Sequence, residues 1–380
     1  MKDLALIPAA SHLVARGRPA SANPAIDARN DVQAAAAWLS AKGGGSDRTF
    51  DAYRREVTRL LLWLDEQCLA VAEMTVDNVH EFYEHLADPP SHWIRPRKPR
   101  RDERLMPTQQ LIGKLSPESI QYSRTVLGQF ADYLMDAGYL QRNVFHLSKK
   151  QKVVNRVAPT KFLDLESWQW FWEWLISRPT PRPVDEARVA RQRWLFALLY
   201  HTGIRREEAA HGLMGNFGRN NASWFLTVVG KGNKEAPVTV NSSLLGELRR
   251  YRRSLGLPEL PVATEKYPLV MSLLSATQRE AITPRAIGLL VQKIAKKAVA
   301  DCADEHIQER LLKMSTHWLR HTNATHRFQA GASLESTQDE LRHADPRTTR
   351  IYMKVADIKR HEDAEKLASL AASQPKNGDI

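Results

Sequence analysis

Apolar residues in the first part of the chain recur every three to four positions, the spacing typical of amphipathic helices. One such stretch starts at Thr49, and its apolar positions are Tyr53, Val57, Leu60, Leu61 and Leu64. A second starts near Thr75 and carries Val79, Phe82, Tyr83 and Leu86. A third is predicted from Ser116, a favoured N-cap residue, through Pro117 at the first helical position, to Gly138, a residue that ends helices. The pattern predicts a small helical domain over residues 31–145.

The second part of the chain mixes helical spacing with one β-hairpin. Strand-like residues over 224–229 and 237–240 flank the turn Gly230-Lys231-Gly232-Asn233-Lys234. Helices are predicted around Trp168, Phe171, Trp172 and Leu175, through Trp194–Leu199, and from about Ser242, Thr283, Thr316, Ser333 and Asp345. The aromatic residues at 168, 171 and 172 are interpreted as core rather than as a platform for stacked bases. An α+β domain over residues 162–356 follows.

Three further segments lack a core-forming pattern. Residues 1–30 are rich in Ala, Ser, Pro and Arg and are interpreted as a mobile N-terminal arm. Residues 146–161 are polar and basic and are interpreted as a linker. Residues 357–380 form the tail, in which Ala364, Leu367, Ala368 and Ala371 predict a short amphipathic helix. Whether that helix packs on its own chain or on a neighbouring protomer stays open.

Composition narrows the kind of partner. The 380 residues carry a formal net charge of +12, with a sequence pI of about 9.7, which favours a polyanion such as nucleic acid over an anionic membrane surface. Two cysteines, far apart in sequence, exclude a disulfide framework and indicate a reducing compartment. The sequence has no run of 18 apolar residues and no signal peptide pattern, so we expect no membrane association and a cytoplasmic location.

Six polar residues of the second domain form a set suited to phosphodiester chemistry: Arg205, Lys231, His317, Arg320, His343 and Tyr352. Two guanidinium groups can hold the nonbridging oxygens of a phosphate, and a tyrosine hydroxyl can attack the phosphorus to form a covalent intermediate. Because the reference pKa of tyrosine is about 10, the hydroxyl needs a base or a positive field near neutral pH. Histidine can take its proton, and lysine can protonate the departing oxygen. No metal or other cofactor is needed, since side chains supply the cations.

These residues lie in segments that resemble the boxes of the tyrosine recombinases, also called the phage integrase family. Thr202-Gly203-Ile204-Arg205-Arg206-Glu207-Glu208 resembles the first arginine box, in which Glu208 would support Arg205. Gly230–Lys234 resembles the lysine hairpin, and His317-Trp318-Leu319-Arg320 resembles the HxxR box. Leu341-Arg342-His343-Ala344 resembles the Leu-Gly-His box, and Thr348–Tyr352 resembles the segment with the nucleophile. Any one box is a weak signal, but all five in this order are a strong one.

The resemblance implies a mainly helical two-domain, C-shaped clamp around double-stranded DNA, with a core-binding (SAM-like) first domain and a catalytic second domain. It implies a site-specific recombinase in which Tyr352 forms a 3′-phosphotyrosine without ATP. It also implies a homotetramer on two DNA sites. The protein would be encoded by a bacterium or a phage and would act on nucleoid DNA, and it would serve integration, excision, inversion or resolution. The DNA site and the accessory proteins stay open.

Two departures from the family pattern stand out. Arg342 occupies the usual glycine position of the Leu-Gly-His box, which predicts an altered loop before His343. A long irregular insert over 88–115 contains prolines that exclude a helix. The candidate DNA contacts of the first domain lie partly in it and are Arg54, Arg55, Arg95, Arg97, Lys98, Arg100 and Arg101. A solvated loop is the competing interpretation of this insert.

Other chemistries fit less well. His317 and His321 lie one helical turn apart, but Trp318 stands where the HExxH metal motif needs glutamate. Gly230-Lys231-Gly232 lacks the spacer and the ending of a phosphate-binding P-loop. Glu208 could pair with a surface arginine one turn away instead of supporting Arg205. Two alternative functions remain: DNA relaxation of the type IB topoisomerase kind, and a non-catalytic DNA-binding regulator.

Overall fold

The computed structural model describes residues 7, 11–42, 47–96, 107–148, 161–221, 223–230, 233–273 and 280–342. The chain divides between residues 155 and 156 into two compact units. This boundary falls inside the segment interpreted as a linker, most of which lies outside the described residues. The functions assigned to the two units, and their arrangement as a clamp, stay predictions.

Apart from one isolated bridge, the regular secondary structure described in the first unit is helical. Its helices are α1 (Asp31–Lys42), α2 (Asp47–Glu66), α3 (Val76–Ala87), α4 (Pro117–Asp136) and α5 (Val144–Leu147). Helices α2, α3 and α4 confirm the three predicted stretches, and the predicted cap forms at Ser116, which accepts from Ser119 N. Thr75 also caps α3, accepting from Asn78 N. Helix α1 was not predicted, because its run of alanines has little amphipathic contrast. Trp38 of α1 is nonetheless fully buried in the shared core with Phe82 and Phe130.

The insert after α3 contains little regular structure. A single 3₁₀ turn spans Ser91–Trp93, and Ile94 pairs with Leu111 in an isolated bridge. The buried indole of Trp93 donates to the carboxylate of Glu66 at 3.0 Å, which attaches this part of the insert to α2. The predicted lack of a helix is confirmed for the described part, whereas residues 97–106 lie outside it.

The predicted mobile arm differs from the structure over residues 11–30. Three backbone amides of this segment donate to the end of α4: Ala20 N to Tyr139 O, Ser21 N to Gly138 O and Ala25 N to Ala137 O. At its end, buried Asp31 accepts from the hydroxyl of Tyr139 at 2.8 Å and from Val71 N at 2.8 Å. The segment lacks a hydrophobic period because backbone groups, rather than an apolar face, attach it to the unit.

The second unit is mainly helical around a small sheet, as predicted. Its elements are α6 (Leu165–Ile176), α7 (Pro183–Thr202), α8 (Arg206–His211), β1 (Phe217–Asn220), β2 (Ser223–Val229), β3 (Glu235–Val240), α9 (Ser242–Ser254), α10 (Pro284–Asp301), α11 (Glu305–Leu312), α12 (Thr316–Gln329) and α13 (Leu334–Leu341). The strands are antiparallel in the order β1-β2-β3, with Leu226 opposite both Phe217 and Val238. The hairpin is confirmed. The short strand β1 and helix α11 were not predicted, and the helix predicted from Asp345 lies outside the described residues.

Helix α7 runs through the centre of the second unit. Its residues Trp194–Leu199 are all fully buried, as is Phe171 of α6, while Trp168 is 6% exposed. The interpretation of the α6 aromatics as core is therefore confirmed for these two residues. Each buried large apolar side chain contributes about 1.5–3 kcal/mol to folding, so α7 is a rigid base for the residues that follow it. None of the described helices has the combination of length and apolar composition that crossing a bilayer requires.

Candidate active site

The first arginine box begins where α7 ends. Gly203 closes the helix in a left-handed conformation, with φ of +58°, and its amide donates to Leu199 O at 3.1 Å. Glycine adopts this conformation without strain. A Cβ at this position would also lie 2.6 Å from Leu341 Cδ2, so a larger residue would force neighbouring atoms to shift. The tight turn places Arg205 at the N-cap of α8.

Glu208 holds Arg205 through both its backbone and its side chain. One carboxylate oxygen accepts from Arg205 N at 2.7 Å, and the other accepts from Arg205 Nη1 at 3.0 Å. The side chain of Glu208 is only 3% exposed, whereas that of Arg205 is 43% exposed. The buried carboxylate therefore orients a guanidinium group that still faces solvent. This geometry favours the supporting role of Glu208 over a simple surface ion pair.

Arg320 of α12 joins two of the predicted boxes. It is 4% exposed, and its Nη1 and Nη2 donate to the carbonyls of Gly203 and Leu341. Gly203 lies two residues before Arg205, and Leu341 lies two residues before His343. One buried guanidinium group thereby brings the first arginine box close to the last turn of α13. His343 and Tyr352 lie outside the described residues.

His317 lies one turn before Arg320 on α12, within the same positive field. Partial desolvation lowers the pKa of its imidazole, and the positive charges of Arg320, Lys161 and Arg205 lower it further. A lowered pKa keeps the ring neutral near pH 7, the form that can accept a proton. Its ring contacts that of His321 edge to face, with centroids 4.1 Å apart. Over the described ranges, no three His, Cys, Asp or Glu side chains gather in a group that could hold a metal ion.

The β-hairpin approaches the same carboxylate. The amide of Gly230 donates to Lys234 O at 2.8 Å, which closes the turn at the end of β2. A Cβ added at Gly230 would lie 3.7 Å from Glu208 Oε1. The base of the lysine hairpin thus borders the Arg205–Glu208 pair. Lys231 itself lies outside the described residues.

Arg342 interacts with the same carboxylate in a way that the sequence analysis missed. Its φ is +55°, so the backbone takes the left-handed conformation that glycine favours. The residues that follow Arg342 lie outside the described part, so the expected change in the loop before His343 stays a prediction. The side chain of Arg342 turns back, and Nη2 donates to Glu208 Oε2 at 2.8 Å. The only signal in the sequence was the departure from glycine itself.

The predicted DNA contacts of the first unit are only partly described. Arg55 and Arg95 line one open groove, together with Arg59 and Lys114, which the sequence analysis did not single out. Arg59 is largely buried and pairs with Glu56 at 3.0 Å. Arg54 instead pairs with Asp51 at 2.7 Å on the surface of α2. The remaining candidates, Arg97, Lys98, Arg100 and Arg101, lie outside the described residues.

Comparison with known proteins agrees with this geometry. In structure, the chain is similar to the site-specific recombinase XerH in a post-cleavage complex with a palindromic difH substrate, with a TM-score of 0.62, 17% identity, and coverage of 96% of this chain and 94% of that one. It is also similar to a lambda integrase dimer bound to a COC′ core site, with a TM-score of 0.55, 15% identity, and coverage of 83% and 76%. These matches show the fold, a mainly helical recombinase fold with a small sheet.

Sequence matches are found to one protein family and to its relatives. Residues 180–359 match the model of the phage integrase family. The tyrosine recombinase XerC of Xylella fastidiosa (strain M23) is 25% identical over 317 residues, which cover 83% of this chain and 89% of the relative. The tyrosine recombinase XerD of Caulobacter vibrioides is 33% identical over 174 residues, covering 45% and 52%. Residues 180–359 therefore carry a match to the phage integrase family, and these relatives of the chain are tyrosine recombinases.

Proposed function

We propose that this protein is a site-specific DNA recombinase that cuts and rejoins DNA strands through a covalent bond to Tyr352. The observation that carries the proposal is the double hydrogen bond of buried Arg320 to the carbonyls of Gly203 and Leu341. It draws together the segments that hold Arg205, Arg320 and His343 by tertiary contacts. Residues as far apart in the sequence as Arg205 and His343 are thereby compatible with a single phosphate site.

The reaction is a transesterification at phosphorus. The oxygen of Tyr352 forms a bond to the scissile phosphorus, and the bond from phosphorus to the 5′ oxygen breaks. The tyrosine proton passes to a base, for which His317 is our candidate, and the departing 5′ oxygen takes a proton from Lys231. Attack by the 5′-hydroxyl of a partner strand reverses the step. Since one phosphoester bond replaces another, the reaction needs no nucleotide hydrolysis.

The described residues supply the electrostatic part of this reaction. Negative charge grows on the nonbridging oxygens as the phosphorus is attacked, and preorganised cations lower the energy of that state. Arg205 is exposed on one side and held by Glu208 on the other, so its guanidinium group is oriented before DNA binds. A group oriented in advance needs no reorganisation during the reaction. This explains why a buried acid is kept beside a catalytic arginine.

The test is the covalent intermediate. DNA fragments from the flanks of the gene that contain inverted repeats serve as substrates, and protein–DNA adducts are scored after denaturation. Tyr352→Phe should abolish the adduct while DNA affinity is kept, because cation–phosphate contacts dominate binding. Tyr133→Phe is the matched control and should form the adduct normally. An adduct that survives in the Tyr352→Phe protein would remove Tyr352 from this role, and relaxation of a supercoiled plasmid without repeats would favour the topoisomerase alternative.

The groove of the first unit is our candidate for DNA backbone contact. Arg55, Arg95 and Lys114 line it, and all three are exposed enough to reach phosphates. Changing all three to glutamine should reduce the slope of log affinity against log salt by about one per lost phosphate contact. Arg29, Lys42 and Arg142, exposed residues of the same unit that do not line the groove, form the charge-matched control. An unchanged slope in the groove variant would mean that this surface is solvated and does not contact the DNA backbone.

We also propose the finer features that the family resemblance implies. These are four protomers on two DNA sites, a cytoplasmic protein acting on nucleoid DNA, and a tail that docks on a neighbouring protomer. Deleting residues 360–380 should leave binding to one site nearly intact and weaken the two-site complex on native gels. Equal formation of the two-site complex by the truncated protein would exclude the tail as an intersubunit element.

A further inference from the structure

Glu208 is the buried carboxylate at the centre of the described site, and two arginines share it. Oε1 accepts from Arg205 Nη1 at 3.0 Å, whereas Oε2 accepts from Arg205 N at 2.7 Å and from Arg342 Nη2 at 2.8 Å. The side chains of Glu208 and Arg342 are 3% and 11% exposed. Solvent therefore screens this ion pair weakly, and each charge strongly affects the other.

Arginine at position 342 is costly to the local structure. Its φ of +55° is unfavourable for a residue with a Cβ, and glycine would adopt it freely. Its Nε is buried without a hydrogen-bond acceptor among the described residues. Strained backbone and unsatisfied polar groups of this kind concentrate at functional sites, where they contribute to the function. That contribution must come from the guanidinium group, because the backbone conformation would form more easily without the side chain.

The charges around Glu208 indicate what that contribution is. A carboxylate paired only with Arg205 would cancel most of the positive charge that Arg205 can present to a phosphate. Arg342 donates to the other oxygen of Glu208 and neutralises the carboxylate, which still orients Arg205. Nη1 of Arg342 also donates to Glu340 O at 2.9 Å, so the same side chain fixes the last turn of α13, immediately before His343.

We propose that Arg342 is a positioning residue that acts through Glu208: it frees the charge of Arg205 for the scissile phosphate and fixes the turn that leads to His343. This rests on the proposed recombinase function. This role requires no contact between Arg342, whose side chain is largely buried, and DNA. Where glycine would give only a flexible backbone, Arg342 adds an ion pair that joins the first arginine box to the Leu-Arg-His segment.

The kinetic test separates binding from strand cleavage. With the inverted-repeat fragment as substrate, Arg342→Gly should slow adduct formation about tenfold, the size expected within one shared network, while fragment affinity changes less than about twofold, because the phosphate contacts that dominate binding are retained. Arg342→Lys should recover a large part of the rate because it keeps the charge. Arg253→Gln, which removes an exposed charge of the same unit, is the control. An Arg342→Gly protein that cleaves at the wild-type rate would overturn the proposal.

A second measurement tests whether Arg342 acts through Glu208. If it does, Glu208→Gln and the double variant Glu208→Gln with Arg342→Gly should form the adduct at the same reduced rate, and the two changes should also be non-additive in urea unfolding. Rate effects that simply multiply would overturn the proposal. The unfolding cycle distinguishes the two possible failures. If the two changes are non-additive in urea unfolding but the wild-type protein forms no adduct, the proposed function is wrong. If the wild-type protein forms the adduct but the two changes are additive, the role of Arg342 is wrong.

Discussion

Thr239 of β3 donates two hydrogen bonds to Glu340 of α13, from its backbone amide at 3.0 Å and from its hydroxyl at 3.0 Å. The two residues are 101 positions apart in sequence. Arg327 of α12 pairs with the same carboxylate at 3.2 Å. Glu340 therefore joins β3, the strand after the lysine turn, to α13, the helix that leads to His343. This contact and the Arg342–Glu208 pair reach the end of α13 from different elements.

Removing this carboxylate should loosen the attachment of the hairpin. We expect Glu340→Ala to lower the free energy of unfolding by roughly 1–3 kcal/mol, because hydrogen bonds to a charged, largely buried group are lost. Adduct formation should slow as well, since Lys231 and His343 depend on the elements that Glu340 joins. Urea unfolding and the single-turnover adduct rate measure the two effects. Glu335→Ala on the exposed side of α13 should stay within about 0.5 kcal/mol of wild type, and an equal loss in both variants would count against a specific role for Glu340.

Gly203→Ala tests the turn that presents Arg205. The new Cβ would meet Leu341 Cδ2 at 2.6 Å and Asn323 Oδ1 at 2.9 Å, in a backbone with φ of +58°. We expect a loss of roughly 2–4 kcal/mol, the sum of left-handed strain and overpacking. Gly256→Ala is the control, since Gly256 has φ of +67° and an added Cβ there meets no described atom within 4 Å. It should lose only the strain, about 1–2 kcal/mol. Equal losses would mean that close packing at Gly203 contributes nothing.

Asp31 makes the stability of the first unit depend on pH. Burial raises its carboxyl pKa from 3.8 to about 6, against the opposing hydrogen bonds from Val71 and Tyr139. The folded state thus holds the proton more tightly than the unfolded chain. The resulting stabilisation is complete below about pH 4 and is lost as pH rises through 6, by on the order of 3 kcal/mol. The difference in unfolding free energy between wild type and Asp31→Asn should vary with pH in that window. A difference that stays constant with pH would contradict the raised pKa.

The charges near His317 should set the acid limb of cleavage. Since Lys161 lowers the pKa of this imidazole, Lys161→Gln should raise it towards its ordinary value. If neutral His317 accepts the tyrosine proton, the rate falls as pH drops through that pKa, so the acid limb of the variant should move to higher pH. NMR titration of the ring and the pH profile of adduct formation measure the same group independently. Lys293→Gln on α10 is the charge-matched control. A titration that shifts without the pH profile would exclude His317 as the base.

Much of the site could be predicted from sequence because its chemistry lies in short local segments. Arg205 with Glu208, and His317 with Arg320, are three residues apart, so helical periodicity alone places each pair on one face. The caps at Thr75 and Ser116 and the turn at Gly203 are equally local. Helices α2, α3 and α4 were predicted because one apolar face alternates with charged positions. The sequence therefore determined most of the described elements and which residues are the candidates for the chemistry.

Only the tertiary structure decided how distant segments meet. The hydrogen bond from Arg320 to Gly203 O spans 117 positions of the sequence, and that from Arg342 to Glu208 spans 134. Neither contact depends on the spacing of neighbouring residues, so no pattern along the chain could predict it. The same holds for the segment 11–30, whose backbone amides bind the end of α4. Contacts made by backbone carbonyls or by one buried ion pair depend on chain packing, and packing is decided by the whole core rather than by neighbours in sequence.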